Sequence, residues 1–176
     1  MRTKNFQGRR AAVAFAVGSL LIMSNAGAAN PESVTAEVEF VDPITITEVN
    51  ALQFGLLDQN LADLETVVIG TNSAVTDAAG RVQGGTQSAA NLTVGATDAQ
   101  AITILVDNVS NGTGYALSAF KCDYNTAASS GACDGSGLSA TSGATATLLI
   151  GATLTGDGLA AIGAANGSFD VTVTYQ

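Results

Sequence analysis

The chain has 176 residues, with 6 Lys and Arg against 15 Asp and Glu, a net charge of −9, and neither His nor Trp. The absence of His excludes a Ser-His-Asp triad, a histidine metal ligand and a histidine proton relay. We therefore expect no enzyme, no metal site and no cofactor. So few cations cannot neutralise a run of phosphates, which excludes nucleic acid as a partner. The composition favours a structural or binding role.

The first 28 residues have the tripartite pattern of a secretory signal. A cationic start precedes the apolar run Ala11 to Met23, and Ala26 and Ala28 form an Ala-x-Ala cleavage site. The run is too short to cross a hydrocarbon core, which needs about 20 residues, so cleavage is favoured over a membrane anchor. The sequence predicts a signal peptide over residues 1–28 and an exported protein of the periplasm, cell surface or medium, with no membrane insertion after cleavage.

Removal of the predicted signal leaves Arg81 and Lys121 as the only cationic side chains against 15 carboxylates, a net charge of −13. Copies of such a chain repel one another at low salt. This repulsion weakens once the Debye length falls to about 10 Å near 0.1 M salt. Self-assembly would need a driving force other than charge.

The residues after the predicted cleavage site fit one all-β domain. Short runs rich in Val, Ile and Thr alternate with Gly, Asn, Asp and Ser, and no stretch keeps a helical period. We predict an immunoglobulin-like or pilin-like β-sandwich over residues 43–176, preceded by an extension over residues 29–42. Eight or nine short antiparallel strands are expected, at residues 34–41, 44–49, 52–57, 66–69, 91–95, 101–107, 115–121, 145–155 and 168–175.

Three stretches between these strands are predicted to lie outside the sheets. Residues 58–65 could form one helical turn, and residues 73–90 are expected to be irregular. Residues 126–143 are dominated by Ala, Ser, Gly and Thr, which favours a surface loop. Cys122 and Cys133 flank part of this loop, and two Cys in an exported chain most simply form one disulfide. We expect a local staple of the loop.

The segment after the predicted signal is a candidate strand of its own. Val34, Ala36, Val38 and Phe40 alternate with polar residues in a strict period of two. Pro43 follows and cannot donate to a sheet ladder, so the strand is set apart from the domain. It could pair with its own domain as an edge strand, or with a neighbouring copy by strand addition.

The C terminus alternates in the same way. Phe169, Val171, Val173 and Tyr175 share one face, which predicts the core side of the last strand. With Gly163 fourteenth from the end and Tyr175 penultimate, this stretch resembles the terminal strand of chaperone-usher pilus subunits. That resemblance implies a periplasmic chaperone as a partner.

Near the start of the domain, Leu52 and Phe54 point to one side of a strand and Gly55 allows a bend after them. Together with 44–47, 92–94, 143–154 and 167–175, this Leu-x-Phe-Gly element resembles the secreted bacterial family called domain of unknown function 4402. It is also similar to the spore-coat U type of pilin-like protein. The resemblance implies an extracellular β-sandwich that takes part in pilus-like assemblies. The chain departs from the pilus and spore-coat pattern because it has no Cys near its predicted mature N terminus.

Two functional hypotheses follow from these patterns. The first is a secreted structural subunit that self-associates, or joins other pilus-type subunits, by donating the strand at Val34 to Phe40 to a neighbour. The alternative is a monomeric adhesin or glycan-binding sandwich whose Gly, Ser and Thr-rich loops contact other surfaces. A hydrolase lacks both its catalytic residues and the aromatic residues for sugar stacking.

Overall fold

The computed structural model describes residues 33–176, so the predicted signal peptide and residues 29–32 lie outside the described residues. Every regular element in the described part is a β-strand, and all the strand pairs are antiparallel. The twelve strands are β1 (Thr45–Asn50), β2 (Leu56–Leu57), β3 (Thr66–Ile69), β4 (Val75–Asp77), β5 (Val82–Gly84), β6 (Ala90–Gly95), β7 (Ala101–Ser110), β8 (Tyr115–Tyr124), β9 (Ser129–Ala132), β10 (Leu138–Thr141), β11 (Ala146–Gly156) and β12 (Ser168–Tyr175).

The main sheet is built around β11, the longest strand. One edge of β11 pairs with β6 along residues 146–150 and with β3 along residues 152–155, and its other edge pairs with β8. Strand β1 extends the sheet beyond β6, β4 beyond β3, and β9 beyond β8. Gly151 lies at the junction of β6 and β3, where a Cβ atom would collide with the backbone of Ile69 and Gly70. A glycine there lets two strands share one edge of β11.

A second sheet, in the order β10-β7-β12, packs against the main sheet. Side chains alternate between the core and the outside, as Ala90, Leu92 and Val94 do on β6. The buried core takes residues from both sheets, among them Val94, Ile102, Ile104, Val106, Phe120, Tyr124, Leu148, Ile150 and Val173. The all-β prediction is confirmed, and two sheets facing one core make the fold a β-sandwich.

The sandwich has more strands than the sequence predicted. The stretch expected to be irregular, residues 73–90, contains β4 and β5, and the predicted surface loop at residues 126–143 contains β9 and β10. These strands are three or four residues long and rich in small or polar side chains. Pairing with neighbours in the fold creates them, because their local sequence has little strand preference.

The predictions for residues 52–57 and 58–65 are also partly wrong. Only Leu56 and Leu57 of the first stretch form a strand, although Gln53 makes an isolated bridge to Ser88. Residues 58–65 form turns instead of a helical turn. The Asp58 carboxylate accepts the Asn60 backbone N–H at 2.9 Å, and Leu64 has φ near 64°, a left-handed conformation that a helix cannot contain.

The predicted strand at residues 34–41 has no regular secondary structure in the described chain. Residues 33–38 fall outside the compact unit Glu39–Gln176. Val34 and Phe40 are 87% and 90% exposed. The strand prediction is wrong for this isolated chain, because a strand needs a neighbouring strand and no strand of residues 33–176 pairs with this segment.

The disulfide between Cys122 and Cys133 is confirmed. Both residues are fully buried, so the expectation that the disulfide constrains a surface loop is wrong. Cys122 lies on β8 opposite Ile150, while the Cys133 carbonyl accepts the Val106 N–H of β7 at 2.7 Å. The bond therefore joins the main sheet to a segment that is hydrogen-bonded to the second sheet.

Replacing both cysteines, Cys122→Ala with Cys133→Ala, should lower the free energy of unfolding by about 3 kcal/mol, because an open chain gains loop entropy when it unfolds. Urea unfolding followed by circular dichroism measures the change. Wild-type protein unfolded with and without a reducing agent is the control and should show the same difference. Equal stability of the variant and the oxidised wild type would contradict the expectation.

Candidate functional site

Two sheet edges lie open beside each other at one side of the sandwich. Strand β1 pairs only with β6, and β12 pairs only with β7, so within residues 33–176 the outer edge of each strand has no partner. Ile46 and Glu48 of β1 and Phe169 and Val171 of β12 line one groove between these edges. Backbone N–H and C=O groups along such edges are free to pair with another strand.

The groove has a volume of about 1290 Å³. Small-molecule pockets have volumes of roughly 300–1,000 Å³, so this groove is larger than a small ligand needs. Its wall comes from both sheets and from the segment after β1, and apolar side chains alternate there with polar ones such as Gln53 and Ser168. The lining side chains that pack against or belong to the core are Leu52, Phe54, Leu92, Leu117, Phe169 and Val171.

The Leu-x-Phe-Gly element forms part of this wall. Leu52 and Phe54 are partly buried and line the groove, on the irregular segment between β1 and β2. Gly55 has φ near 80°, and a Cβ atom there would collide with the Gln87 side chain and the Gly84 carbonyl. The glycine thus permits the bend that brings the motif onto the groove.

The predicted core face of the last strand lies on β12. Val173 is buried, and Phe169, Val171 and Tyr175 are partly buried against the core. The Phe169 ring packs on Phe120 with ring centroids 4.9 Å apart. Phe169 and Val171 line the groove, so the N-terminal half of β12 borders it.

Tyr175 holds the junction between the N-terminal extension and the domain. Its hydroxyl donates to the Asp42 carbonyl at 2.9 Å and accepts the Thr97 backbone N–H at 2.7 Å. The Asp42 N–H in turn donates to the Thr97 hydroxyl oxygen at 2.6 Å. We call these three residues the Tyr175 latch. It fixes the start of β1 beside the C-terminal end of β12.

An ion pair supports the groove wall beside Asp58. Arg81 makes a two-pronged contact with Glu65 at 2.7 and 2.8 Å, and its backbone carbonyl accepts the Asp58 N–H at 2.8 Å. Asp58 and Leu57 line the groove. Arg81 holds the pKa of the Glu65 carboxyl below its usual value, with help from the Ala62 N–H. Backbone N–H groups of Arg81 and Val82 lower the pKa of Asp77.

The structure brings together some of the predicted residues and leaves others apart. Leu52, Phe54, Phe169 and Val171 meet at the groove. The exposed strand-exchange face of Val34, Ala36, Val38 and Phe40 belongs to the irregular N-terminal segment. Cys122 and Cys133 lie in the core. Sequence reasoning missed the Tyr175 latch, since its partners are separated by up to 133 residues and carry no local pattern.

Residues 33–176 contain neither a cluster of metal-ligating side chains nor a membrane-spanning helix. Among residues 33–176, no three His, Cys, Asp or Glu side chains lie close enough to hold a metal ion. The same residues include no helix of the length and hydropathy that crossing a bilayer requires. Within the described chain, the groove is lined by three carboxylates, those of Glu48, Asp58 and Asp170, and by no cationic side chain.

The family model described as Domain of unknown function (DUF4402) matches residues 44–175. The chain belongs to this family. The match begins two residues after Asp42 and covers all twelve strands of the DUF4402 domain. No curated protein and no solved structure matches the chain. The resemblance to DUF4402 is thus confirmed, while the likeness to spore-coat U proteins and pilus subunits stays a prediction.

Loss of the latch should destabilise the DUF4402 domain. Tyr175→Phe removes one hydrogen bond donated to Asp42 and one accepted from Thr97, which should lower the free energy of unfolding by about 1–3 kcal/mol. Urea unfolding measures the change. Tyr115→Phe is the matched control, because the Tyr115 hydroxyl makes one longer bond, at 3.3 Å, to the Ala165 carbonyl. An equal effect of both substitutions would contradict the role of the latch.

Stability of the domain should fall in acid. Because the folded-state pKa of Glu65 is lowered, its pairing with Arg81 stabilises the fold above about pH 4.3, the unfolded-state value. This contribution is lost as the pH falls through the lower folded-state pKa. Glu65→Gln should therefore be less stable than wild type at pH 6, with a difference that shrinks towards pH 3 in urea unfolding. Exposed Glu37→Gln is the control, and a difference independent of pH would contradict the expectation.

Proposed function

We propose that this protein is an exported structural subunit that assembles by β-strand addition, with the N-terminal segment of one copy entering the groove of another. One observation carries the proposal. The chain has an apolar groove between two unpaired sheet edges, and it also has an unpaired segment with the alternation of a strand. A strand added between β1 and β12 would satisfy both edges and cover the groove.

The segment has the dimensions of the missing strand. Residues 34–41 number eight, as do the residues of β12, and an extended chain of this length spans about 26 Å. Val34, Ala36, Val38 and Phe40 would point into the groove, and the polar residues between them would point to solvent. The exposed apolar side chains of the segment would then become buried, which supplies the driving force.

Repulsion between the negatively charged copies makes assembly depend on the salt concentration. Glu37 and Glu39 of the segment would approach a groove that carries Glu48 and Asp170, and the predicted mature chain has a net charge of −13. The glutamates of the segment belong to its solvent face, so salt would screen the repulsion between copies. We therefore expect assembly to be stronger at moderate salt than at low salt.

Export and a chaperone complete the proposal. The signal-like N terminus and a disulfide in the core fit a protein that folds in an oxidising compartment. Two open edges and an apolar groove also make the free subunit prone to wrong pairing. A periplasmic chaperone that holds β12 until the donor strand arrives would prevent this.

Deleting residues 32–41 should abolish assembly and leave the sandwich folded, because the compact unit keeps all but its first three residues. Size-exclusion chromatography and negative-stain microscopy at about 0.15 M salt, where the Debye length is about 8 Å, compare the deletion with the chain from residue 29. We expect fibres or ladders from the longer chain only. A folded monomer from both chains would contradict strand addition and favour the adhesin or glycan-binding alternative.

Two point variants make the test specific. Val38→Asp places a charge on the face that enters the groove, and Thr35→Asp places the same charge on the opposite face. Assembly should be lost in the first and kept in the second, since only the first buries an unpaired charge. A synthetic peptide of residues 32–41 should bind the deletion variant, and the same peptide with the Val38→Asp change should not.

A further inference from the structure

The loop between β11 and β12 is unusually apolar for a surface segment. Residues 159–165 read LAAIGAA, without a polar side chain. Leu159 and Ile162 are 73% and 88% exposed, and Leu56, which lines the groove with Ile162, is 65% exposed. Exposed apolar side chains grouped at the rim of a groove mark an interaction surface more often than scattered ones do.

This loop is tied to the domain at one end of the groove. Residues 160–165 line the groove, Ala160 contacts Gly114, and the Ala165 carbonyl accepts the Tyr115 hydroxyl at 3.3 Å. The loop leads directly into Ser168, the first residue of β12. The apolar rim therefore lies at the N-terminal end of β12.

The N-terminal segment leaves the domain at the opposite end. The Tyr175 latch holds Asp42 at the C-terminal end of β12, seven residues along the strand from Ser168. At about 3.4 Å per residue, the two ends of β12 are roughly 24 Å apart. One end of the sandwich thus carries the apolar rim, and the other carries the start of the donor segment.

The direction of the inserted strand decides which ends meet. If the segment runs antiparallel to β12, its Phe40 lies near Ser168, and the donor's own domain follows at the apolar rim. If it runs parallel to β12, Phe40 lies near Tyr175, the two latch ends meet, and the rim stays exposed to water. Only the antiparallel arrangement covers Leu159 and Ile162 and removes their exposed apolar surface from water.

We propose, resting on the proposed function, that the strand of a second copy inserts antiparallel to β12 and that the Leu159–Ile162 loop forms a second contact with the latch end of that copy. Different surfaces of the two copies then meet. A contact of this heterologous type repeats from copy to copy and builds an open filament, whereas meeting of the two latch ends would give a closed dimer.

Cysteine cross-linking tests the arrangement in the assembled chain from residue 29. Ile162→Cys and Val41→Cys are made as separate proteins, mixed, assembled and oxidised mildly, and the products are resolved without reducing agent. Both positions are exposed, and the native Cys122 and Cys133 are buried in their disulfide. We expect a cross-link between the two different variants and little cross-linking of Val41→Cys with itself.

Each other outcome overturns the inference. A dominant Val41→Cys homodimer would show that the latch ends meet. Fibres without a cross-link between Ile162→Cys and Val41→Cys would show that the rim faces something else, while strand addition itself would stand. If no assembly depends on residues 32–41, the proposed function fails, and the inference fails with it.

Two double variants give an independent measure of the contact at the Leu159–Ile162 loop. Leu159→Asp with Ile162→Asp should raise the protein concentration needed for assembly about tenfold or more, equivalent to about 1.4 kcal/mol. Val75→Asp with Ala132→Asp adds the same charge at exposed positions of β4 and β9, which do not line the groove. The control should assemble nearly as wild type does, with an equal free energy of unfolding in all three proteins. Equal impairment of both double variants would contradict a specific contact at the loop.

Discussion

Unpaired backbone at two neighbouring sheet edges is the constraint on which the rest of this structure depends. The outer edges of β1 and β12 leave N–H and C=O groups free, and the side chains between them form an apolar wall instead of a closed core. A sandwich normally closes this space with a strand of its own. The core of residues 39–176 is therefore buried around the Cys122–Cys133 disulfide and exposed at the groove.

The surrounding features keep that open space in shape. The Tyr175 latch fixes the start of β1 against the end of β12, and Arg81, which pairs with Glu65 and accepts the Asp58 N–H, supports the wall at Asp58. Phe169 contributes to the groove wall and to the core at once through its contact with Phe120. The groove is consequently a preformed surface, so an incoming strand would lose little energy to rearrangement of the domain.

Local patterns were sufficient to predict part of this architecture. Strands β3 and β12 have the predicted bounds, because each is a short β-branched or alternating run with clear ends. Strands β4, β5, β9 and β10 could not be predicted from the sequence, because their polar residues form strands only when a neighbouring strand pairs with them. The groove was equally hidden. Phe169 was expected to be a core residue, and nothing in its spacing shows that the two sheets leave a gap beside it.

The latch has a mechanical consequence. In a fibre of the proposed kind, tension would pass from the donor strand through Asp42 and Pro43 directly into the Tyr175 end of the same domain. Pro43 restricts the backbone of this short link, which limits bending between neighbours. Because hydrogen bonds of an antiparallel ladder run perpendicular to its strands, a pull along the donor strand would load all of them in shear at the same time. Such a joint resists extension far better than it resists peeling from one end.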